Sequence, residues 1–282
     1  MILKIPVEDR VSTYPGRIIL TPVPGKANTY DMVRADDPVA VGTPINKQLF
    51  DNKAYTLTDD VTIYVETYGN DVDGDGSADA PFRTIQKAID ELPKHLGGHT
   101  AEIAIGYGVY NERIVVKDFM SGRLVIGRTN DTFTINGIDV INSSFVETNI
   151  PEIKKVAGSS TPLFVVKDGS NVCIGSIMSI DGVDANIMGI VVEKNSHLIT
   201  ENDVTLIVDN CSMAVTAQWC SFVSINEITG AGNVFGVSAT QGSIISYKTD
   251  TLAKSWSNNA ASGGLVLTDK NSSDLSGSTL DL

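Results

Sequence analysis

Apolar and polar positions alternate in nine-residue segments that recur through the second half of the chain. The segments begin at Ile138, Phe164, Ile190, Val215 and Val237. The seventh position of every segment is a serine, and successive serines are 26, 26, 25 and 22 residues apart: Ser144, Ser170, Ser196, Ser221 and Ser243. A repeat of this length, with turn residues near its middle, is typical of solenoids in which each repeat stacks on the next.

The apolar positions of each segment have a period of two on either side of a bend. The third position is small and apolar in all five segments, and the ninth position is always aliphatic. This period places both positions on one face of a strand, while the Asn, Asp, Gly and Ser between them favour a turn. Short runs rich in Val, Ile and Thr exclude an α-helical solenoid. We therefore predict an all-β fold, a right-handed parallel β-helix from about Ile103 to Leu267.

In-register stacking of the repeats brings particular side chains together. Lys167 falls beside Glu193, and Asp168 falls beside Lys194. Opposite charges are therefore expected on neighbouring strands, about 4.8 Å apart. A second apolar column precedes three of the segments and is predicted to point into the core: Met188, Met213 and Phe235.

The region before the repeats predicts a cap for the first coil of the solenoid. Ile85, Ala88, Ile89 and Leu92 have helical spacing, and Pro93 ends the run. An amphipathic helix here would cover strand edges that otherwise invite aggregation. The predicted organisation is an extended N-terminal segment at 1–65, an acidic turn and capping helix at 66–100, the β-helix at 101–270 and a flexible tail at 271–282.

Composition and charge exclude several classes of protein. The 282 residues carry a formal net charge of −13, and 42% of them are hydrophobic, which is enough for a core. The acidic balance argues against binding to nucleic acid and against docking on anionic lipid. The sequence has no run of 18 apolar residues, so membrane insertion is not expected. Without a C-x-x-C pair, three cysteines are expected to be reduced and buried, in a chain that folds in a cytosol: Cys173, Cys211 and Cys220.

Two parts of the sequence resemble known families. Residues 74–89 and 103–112 resemble the opening of pectate-lyase-like β-helix proteins, which include lyases, esterases and phage tailspikes. This likeness specifies a fold and not an activity. Residues 10–17, 29–38 and 42–46 resemble the N-terminal segment of tail proteins from phages and prophages of Gram-positive gut bacteria. The resemblance implies a tailspike-like virion component, a homotrimer, and contacts with other tail or baseplate proteins through residues 1–65.

The acidic turn before the predicted helix is a candidate calcium site. Asp71, Asp73, Asp75 and Asp79 lie on a glycine-containing loop, and such carboxylates can converge on Ca²⁺. The twelfth position of an EF-hand loop would be Phe82 instead of glutamate, so that motif is absent. The interpretation we favour is a solvated acidic turn without metal. No other cofactor is expected.

Candidates for catalysis and glycan binding lie in the loops and bends of the repeats. Asp181 and Asp184, in the longest loop between repeats, are the best pair of carboxylates for glycoside hydrolysis. A polar turn is the favoured alternative, because Asp and Gly collect in loops. The acidic and basic cluster of a lyase is not recognisable in the sequence. Trp219 and Trp256 are suited to stacking on sugar rings or to filling a subunit interface, and we favour the interface.

Three functions are consistent with the sequence. The favoured one is a structural component of a virion tail, an adaptor or receptor-binding spike, which is made in the bacterial cytoplasm and acts outside it. The first alternative is a tailspike enzyme, a hydrolase or lyase, that degrades a host surface glycan. The second is a non-catalytic glycan-binding module. The regular repeat and the lack of a convincing catalytic cluster favour the structural interpretation.

Overall fold

The computed structural model describes residues 56–248 and 259–268, together with short stretches of strand and one turn residue between residues 11 and 40. The chain divides into two compact units, Ile2–Ala54 and Tyr55–Leu282. The strands of the first unit are β1 (Val11–Ser12), β2 (Ile18–Pro22), β3 (Tyr30–Arg34) and β4 (Pro38–Ala40). β1 pairs with β4 and β2 pairs with β3, both antiparallel. The predicted tail at 271–282 lies outside the described residues.

The second unit is a parallel β-solenoid of about six turns, which we call coils. Face A is a nine-stranded parallel sheet of β5 (Val61–Val65), β6 (Thr100–Ile105), β8 (Arg123–Ile126), β10 (Val146–Thr148), β13 (Asn171–Ile174), β16 (His197–Thr200), β19 (Phe222–Ile225), β22 (Ile244–Tyr247) and β24 (Leu265–Thr268).

Faces B and C share an eleven-stranded parallel sheet. The long strands β7 (Gly108–Lys117) and β9 (Phe133–Ile141) contribute to both faces. Face C continues with β11 (Glu152–Lys154), β14 (Met178–Asp181), β17 (Thr205–Asp209) and β20 (Glu227–Thr229). Face B continues with β12 (Phe164–Lys167), β15 (Met188–Glu193), β18 (Met213–Gln218), β21 (Phe235–Thr240) and β23 (Asn259–Ala261).

The repeats stack in the register that the sequence predicts. Val140 pairs with Val166 and Val166 with Val192 on face B, while Val146 pairs with Val172 on face A. All of these side chains are buried, as the period-two pattern requires. The predicted parallel β-helix fold is confirmed, and it begins earlier than predicted. β5, which the sequence analysis assigned to the N-terminal segment 1–65, is the first strand of face A.

One predicted charge pair joins neighbouring coils at the bend between faces B and A. The Nζ of Lys194 lies 3.1 Å from Oδ1 of Asp168. On face B, Glu193 accepts a hydrogen bond from the side-chain amide of Gln218 (2.8 Å). Both contacts join side chains on adjacent coils, so polar contacts outside the core follow the same register as the buried columns.

A ladder of buried serines joins successive coils at the same bend. The backbone N–H of Ser170 donates to Ser196 Oγ (3.2 Å), and the N–H of Ser196 donates to Ser221 Oγ (3.3 Å). Ser243 Oγ continues the ladder by accepting from the N–H of Ser221 (3.0 Å). All four serines are buried. The hydroxyl therefore supplies the acceptor that a buried backbone N–H needs where the strand hydrogen bonds are interrupted.

The first member of this ladder is not the repeated serine Ser144 but the residue before it. Ser143 is buried, Ser144 is exposed, and the N–H of Ser143 donates to Ser170 Oγ (3.1 Å). Asn142 has a positive φ (47°) at this bend, whereas a later bend contains two consecutive residues with positive φ, Lys194 and Asn195. Because the first bend has one left-handed residue and the later bend has two, the alternation of side chains shifts by one position, and Ser143 points inward instead of Ser144.

The second apolar column is aligned as predicted but faces solvent instead of the core. Met188 pairs with Met213 and Met213 with Phe235, and Met188 and Phe235 are 40% and 49% exposed. The inward positions at this bend are small: Gly189, Ala214 and Gly236. A Cβ on Gly189 would lie 2.7 Å from the carbonyl oxygen of Ala214. The bend is therefore too tight for a large inward side chain, and the adjacent residue points out.

A helix caps the first coil, as predicted. α1 (Ile85–Glu91) is the only helix of the described residues, and its Ile85, Ala88 and Ile89 are buried. Its N-cap is Thr84, and the carboxylate of Glu112 on β7 accepts from the backbone N–H groups of Ile85 (2.8 Å) and Gln86 (3.0 Å). These acceptors satisfy donors that a helix N-terminus leaves free. No helix in the described part of the chain is long and apolar enough to cross a membrane.

The cap also pairs the open strand edges of the first coil. The side-chain amide of Gln86 donates to the carbonyl of Val115 on β7 (3.2 Å) and accepts from its N–H (2.7 Å). On face A, Phe82 donates its N–H to the carbonyl of Tyr64 on β5 (3.0 Å), and Tyr64 donates its N–H to Gly76 (2.9 Å). The helix and the acidic turn thus pair backbone groups that would otherwise form an open strand edge prone to aggregation.

The cysteines differ from the expectation in one respect. Cys173 and Cys211 are buried, whereas Cys220 is exposed at the bend between faces B and A. Burial raises the pKa of Cys173 to about 11 and that of Cys211 to about 12. Their thiolate forms are therefore scarce near neutral pH, and the thiolate is the reactive form of cysteine.

Replacing Ser196 by alanine should destabilise the protein, because the buried N–H of Ser170 loses its acceptor. Ser196 Oγ accepts from Gly169 (3.1 Å) and Ser170 (3.2 Å). The expected loss in the free energy of unfolding is about 1–3 kcal/mol, measured by urea titration. Ser224→Ala, on the outer side of face A, is the matched control. An equal effect of both substitutions would contradict the role given to the ladder.

Iodoacetamide should modify Cys220 alone in the native protein at neutral pH. Cys173 and Cys211 should react only after unfolding, because burial hinders access and suppresses the thiolate. Peptide mass spectrometry of labelled native and denatured samples makes the comparison. Native labelling of Cys211 at the rate of Cys220 would show that this packing is wrong.

Candidate functional site

An open groove lies on the outer surface of face A, across its first coils. Its volume is about 460 Å³, within the range of ligand sites in proteins. The strands β5, β6, β8 and β10 and the residues after β8 and β10 line it. Its polar lining includes Thr62, Glu102, Arg123, Arg128, Glu147 and Asn149.

The strand register places two glutamates on alternate coils of the groove. Glu102 pairs with Val125, and Val125 pairs with Glu147. The flanking residues are fully buried, so the glutamates point away from the core. Two strand spacings separate their Cα atoms by about 9.6 Å. The groove therefore presents two carboxylates at a separation set by backbone hydrogen bonds, not by a flexible loop.

Glu102 is held by a bidentate pair with Arg128. Nε and Nη2 of Arg128 donate to its two carboxylate oxygens at 3.0 and 2.9 Å. The hydroxyl of Thr62 donates to the same carboxylate at 3.0 Å. The guanidinium of Arg128 also lies 5.5 Å from the ring centre of Tyr64, a cation–π distance. Contacts on several sides therefore fix the orientation of this pair.

Glu147 forms the second pair, with Arg123. The two side chains are in direct contact, and the glutamate side chain is only 10% exposed. Nδ2 of Asn149 donates to Glu147 (3.2 Å) and to the carbonyl of Gly127 (3.2 Å). Oδ1 of Asn149 is buried and has no hydrogen-bond partner. This pair is thus more deeply set than the first and borders an unsatisfied acceptor.

The ion pairs keep Glu102, Arg123 and Arg128 ionised, which makes them poorly suited to proton transfer. Hydrogen bonds from Arg128 lower the pKa of Glu102. Conversely, Glu147 raises the pKa of Arg123, and Glu102 raises that of Arg128. A general acid in glycoside hydrolysis needs a raised carboxyl pKa, and an arginine base would need a lowered one. The arrangement is therefore better matched to binding polar groups than to moving protons.

The predicted catalytic aspartates are engaged by lysines of the preceding coil. Asp184 contacts the Nζ of Lys155, whose side chain is 3% exposed, and Asp181 Oδ2 lies 4.0 Å from Lys154 Nζ. Asp181 Oδ1 also accepts from the N–H of Val183 (2.8 Å). The bond from Lys155 lowers the pKa of Asp184. These contacts anchor the loop and favour the polar-turn interpretation over hydrolysis.

The predicted calcium ligands are used as backbone caps. Asp71 Oδ1 accepts from the N–H groups of Arg83 (2.8 Å) and Thr84 (3.0 Å), and Asp75 Oδ1 accepts from the N–H of Ser77 (2.9 Å). Within the described residues, no three acidic, histidine or cysteine side chains converge as a metal site would require, and this includes Asp71, Asp73, Asp75 and Asp79. These hydrogen bonds hold the acidic turn against the edge of β5 and the start of α1.

Of the two candidate tryptophans, only Trp219 lies in the described part of the chain. Trp219 is 43% exposed at the bend between β18 and β19, where both it and Cys220 have positive φ (54° and 59°). Such a conformation is costly for a bulky residue. The bend thus holds the indole outward, away from the core. Trp256 lies outside the described residues.

The groove was not predicted, because the residues of each ion pair are far apart in the sequence. Glu102 and Arg128 are 26 residues apart, and Arg123 and Glu147 are 24 apart. The signal was present in the spacing: Glu102, Val125 and Glu147 differ by 23 and 22 residues, close to one repeat. The early coils lack the serine that marks the later ones, so their register could not be aligned from the sequence.

Comparison with known proteins identifies no relative. No family model, no curated protein and no solved structure matches the chain.

Glu102→Gln should flatten the dependence of stability on pH in acidic solution. The folded-state pKa of Glu102 lies below its unfolded value of about 4.3. Its carboxylate therefore stabilises the fold above that pH, and this contribution is lost as the pH falls through the folded-state pKa.

The unfolding temperature, measured from about pH 3 to about pH 7, tests this linkage. The variant should lose less stability on acidification than the parent protein. Asp203→Asn, which alters an exposed acid outside the groove, should keep the parent's profile. A parent-like acid dependence in Glu102→Gln would refute the assignment.

Proposed function

We propose that the chain is a structural component of a virion tail, an adaptor or receptor-binding spike, whose solenoid carries a surface for host attachment. The observation that supports this most is the continuous parallel solenoid, with its first end closed by α1 and the acidic turn. Stacked coils make a stiff, extended scaffold that needs no separate domain to keep its shape. The resemblance of residues 10–17, 29–38 and 42–46 to tail proteins supports the same proposal.

The proposal includes a homotrimer that contacts other tail or baseplate proteins through residues 1–65. The later coils carry exposed apolar side chains at the B–A bend and on face A, among them Trp219, Phe222, Leu265 and Leu267. Clustered exposed apolar residues are typical of surfaces that meet another protein. They provide an area on which copies of the solenoid could associate side by side. In this arrangement the protein belongs to the virion and acts outside the cell.

A glycan-binding role is the second candidate, and the groove on face A favours it. A glycan-degrading role has less support, because the lowered pKa of Glu102 and that of Asp184 are opposite to what an acid catalyst needs. The groove therefore adds a binding surface to the structural proposal without requiring a reaction.

Two measurements test the structural proposal. Light scattering of the purified full-length protein should give three times the chain mass, and peptide mass spectrometry with antibody labelling should detect the protein on the tails of purified virions. The control is a capsid antibody on the same particles. A monomer at the concentrations of the experiment would contradict the trimer, and absence from intact virions would contradict the tail assignment.

A further inference from the structure

We propose that the groove on face A binds a neutral, hydroxyl-rich glycan without cleaving it, and that the Arg128–Glu102 and Arg123–Glu147 pairs are its two recognition points. This inference rests on the proposed function, because it names the chemical class of ligand for the attachment surface.

Each pair presents hydrogen-bond donors and acceptors side by side. The arginine side chains remain 44% and 45% exposed although each is bonded to its glutamate. A guanidinium has more N–H donors than one carboxylate can accept, and a carboxylate has lone pairs left after two bonds. Neighbouring hydroxyls of a sugar both donate and accept. A pair of this kind can therefore take one hydroxyl on its basic edge and another on its acidic edge.

The two pairs are held in place before any ligand arrives. Glu102 and Glu147 project from strands on alternate coils, and Thr62 and Asn149 hold their carboxylates in position. Fixed side chains lose little conformational entropy on binding, which favours affinity for a polar ligand. The groove thus offers two rigid contact points along one direction, as an extended oligosaccharide requires.

Asn149 supplies an additional reason to expect a donor in the groove. Its side chain lines the groove wall, is 4% exposed, and has an Oδ1 without a hydrogen-bond partner. A buried acceptor left without a donor is destabilising. A small adjustment of this side chain would let a ligand hydroxyl satisfy it, so part of that cost would be recovered on binding.

The charge of the groove selects the class of glycan. Its lining contains Asp60, Glu102 and Glu147 against Arg123 and Arg128, so acidic groups outnumber basic ones by one. Both arginines are already neutralised by glutamates, and the whole chain carries −13. An acidic polysaccharide would meet repulsion and would have to displace a carboxylate from its arginine. A neutral glycan meets neither obstacle.

The test is isothermal titration of the full-length protein with defined probes. The neutral probes are maltohexaose, laminarihexaose and chitohexaose, and the acidic probe is hexagalacturonate. At least one neutral probe should bind, with little dependence on salt because no net charge is neutralised. Arg123→Gln and Arg128→Gln should each weaken binding about tenfold or more, since each loses a charge-assisted contact. Chromatography should recover the probe at its original length.

Matched controls separate recognition from folding. Arg113 forms a comparable pair with Asp139 on face B, so Arg113→Gln should leave binding unchanged. Thr62→Val, which removes only the hydroxyl that orients Glu102, should weaken binding without altering the far-ultraviolet circular dichroism spectrum. If an arginine variant fails to fold, Thr62→Val still tests the groove in a folded protein.

Four results would overturn the inference: no binding by any neutral probe, equal binding by the groove variants and Arg113→Gln, preference for hexagalacturonate, or shortened products. These outcomes are distinct from failure of the proposed function. A protein found on virion tails that binds no neutral glycan would refute the groove alone. A protein absent from virions that still binds through Arg123 and Arg128 would refute the tail assignment alone.

Discussion

The structure depends on parallel backbone hydrogen bonds between one coil and the next. A single coil buries too little apolar surface to be stable, and it leaves its N–H and carbonyl groups open on both edges. Stacking solves both problems together: the aliphatic columns close over one another, and each strand completes its neighbour. Where the strands bend between faces B and A, serine hydroxyls take over the hydrogen bonding between coils: those of Ser170, Ser196, Ser221 and Ser243. At the first coil, Gln86 and the acidic turn take the place of the missing neighbour.

Stacking also organises the outer surface, because side chains that leave the core do so in columns. On face A this puts Glu102 and Glu147 two strands apart and brings an arginine to each. On face C it lets Lys154 and Lys155 hold the loop that contains Asp181 and Asp184. In both places the basic partner lowers the pKa of a carboxyl group, Glu102 or Asp184. On face A, Glu147 also raises the pKa of Arg123, so these groups stay ionised. A surface of this kind favours recognition by hydrogen bonds, which is why the groove supports a binding role within the structural proposal.

Much of the fold could be predicted because the apolar positions that stack in the core recur periodically along the sequence. Where the repeat is complete, from Ile138 onward, the buried columns and the register agree with the structure. The helix before the repeat was also predictable, since Ile85, Ala88 and Ile89 mark one helical face. Prediction was poorer in the early coils, which lack the serine. There the first strand of face A, Val61–Val65, was assigned to the N-terminal segment, and the ion pairs that line the groove were not predicted.

The sequence by itself indicated a parallel solenoid, because similar short strands of period two recur every 22 to 26 residues, and such repeats bury their apolar sides by stacking on one another. Only the tertiary structure decided which residues at each bend face inward. A bend with one left-handed residue buries Ser143 instead of Ser144, and a tight bend at Gly189 turns Met188 to solvent. Only stacking could join Glu102 to Arg128 and Arg123 to Glu147. These contacts depend on backbone angles and on register across more than 20 residues, and neither is encoded in any short segment of the chain.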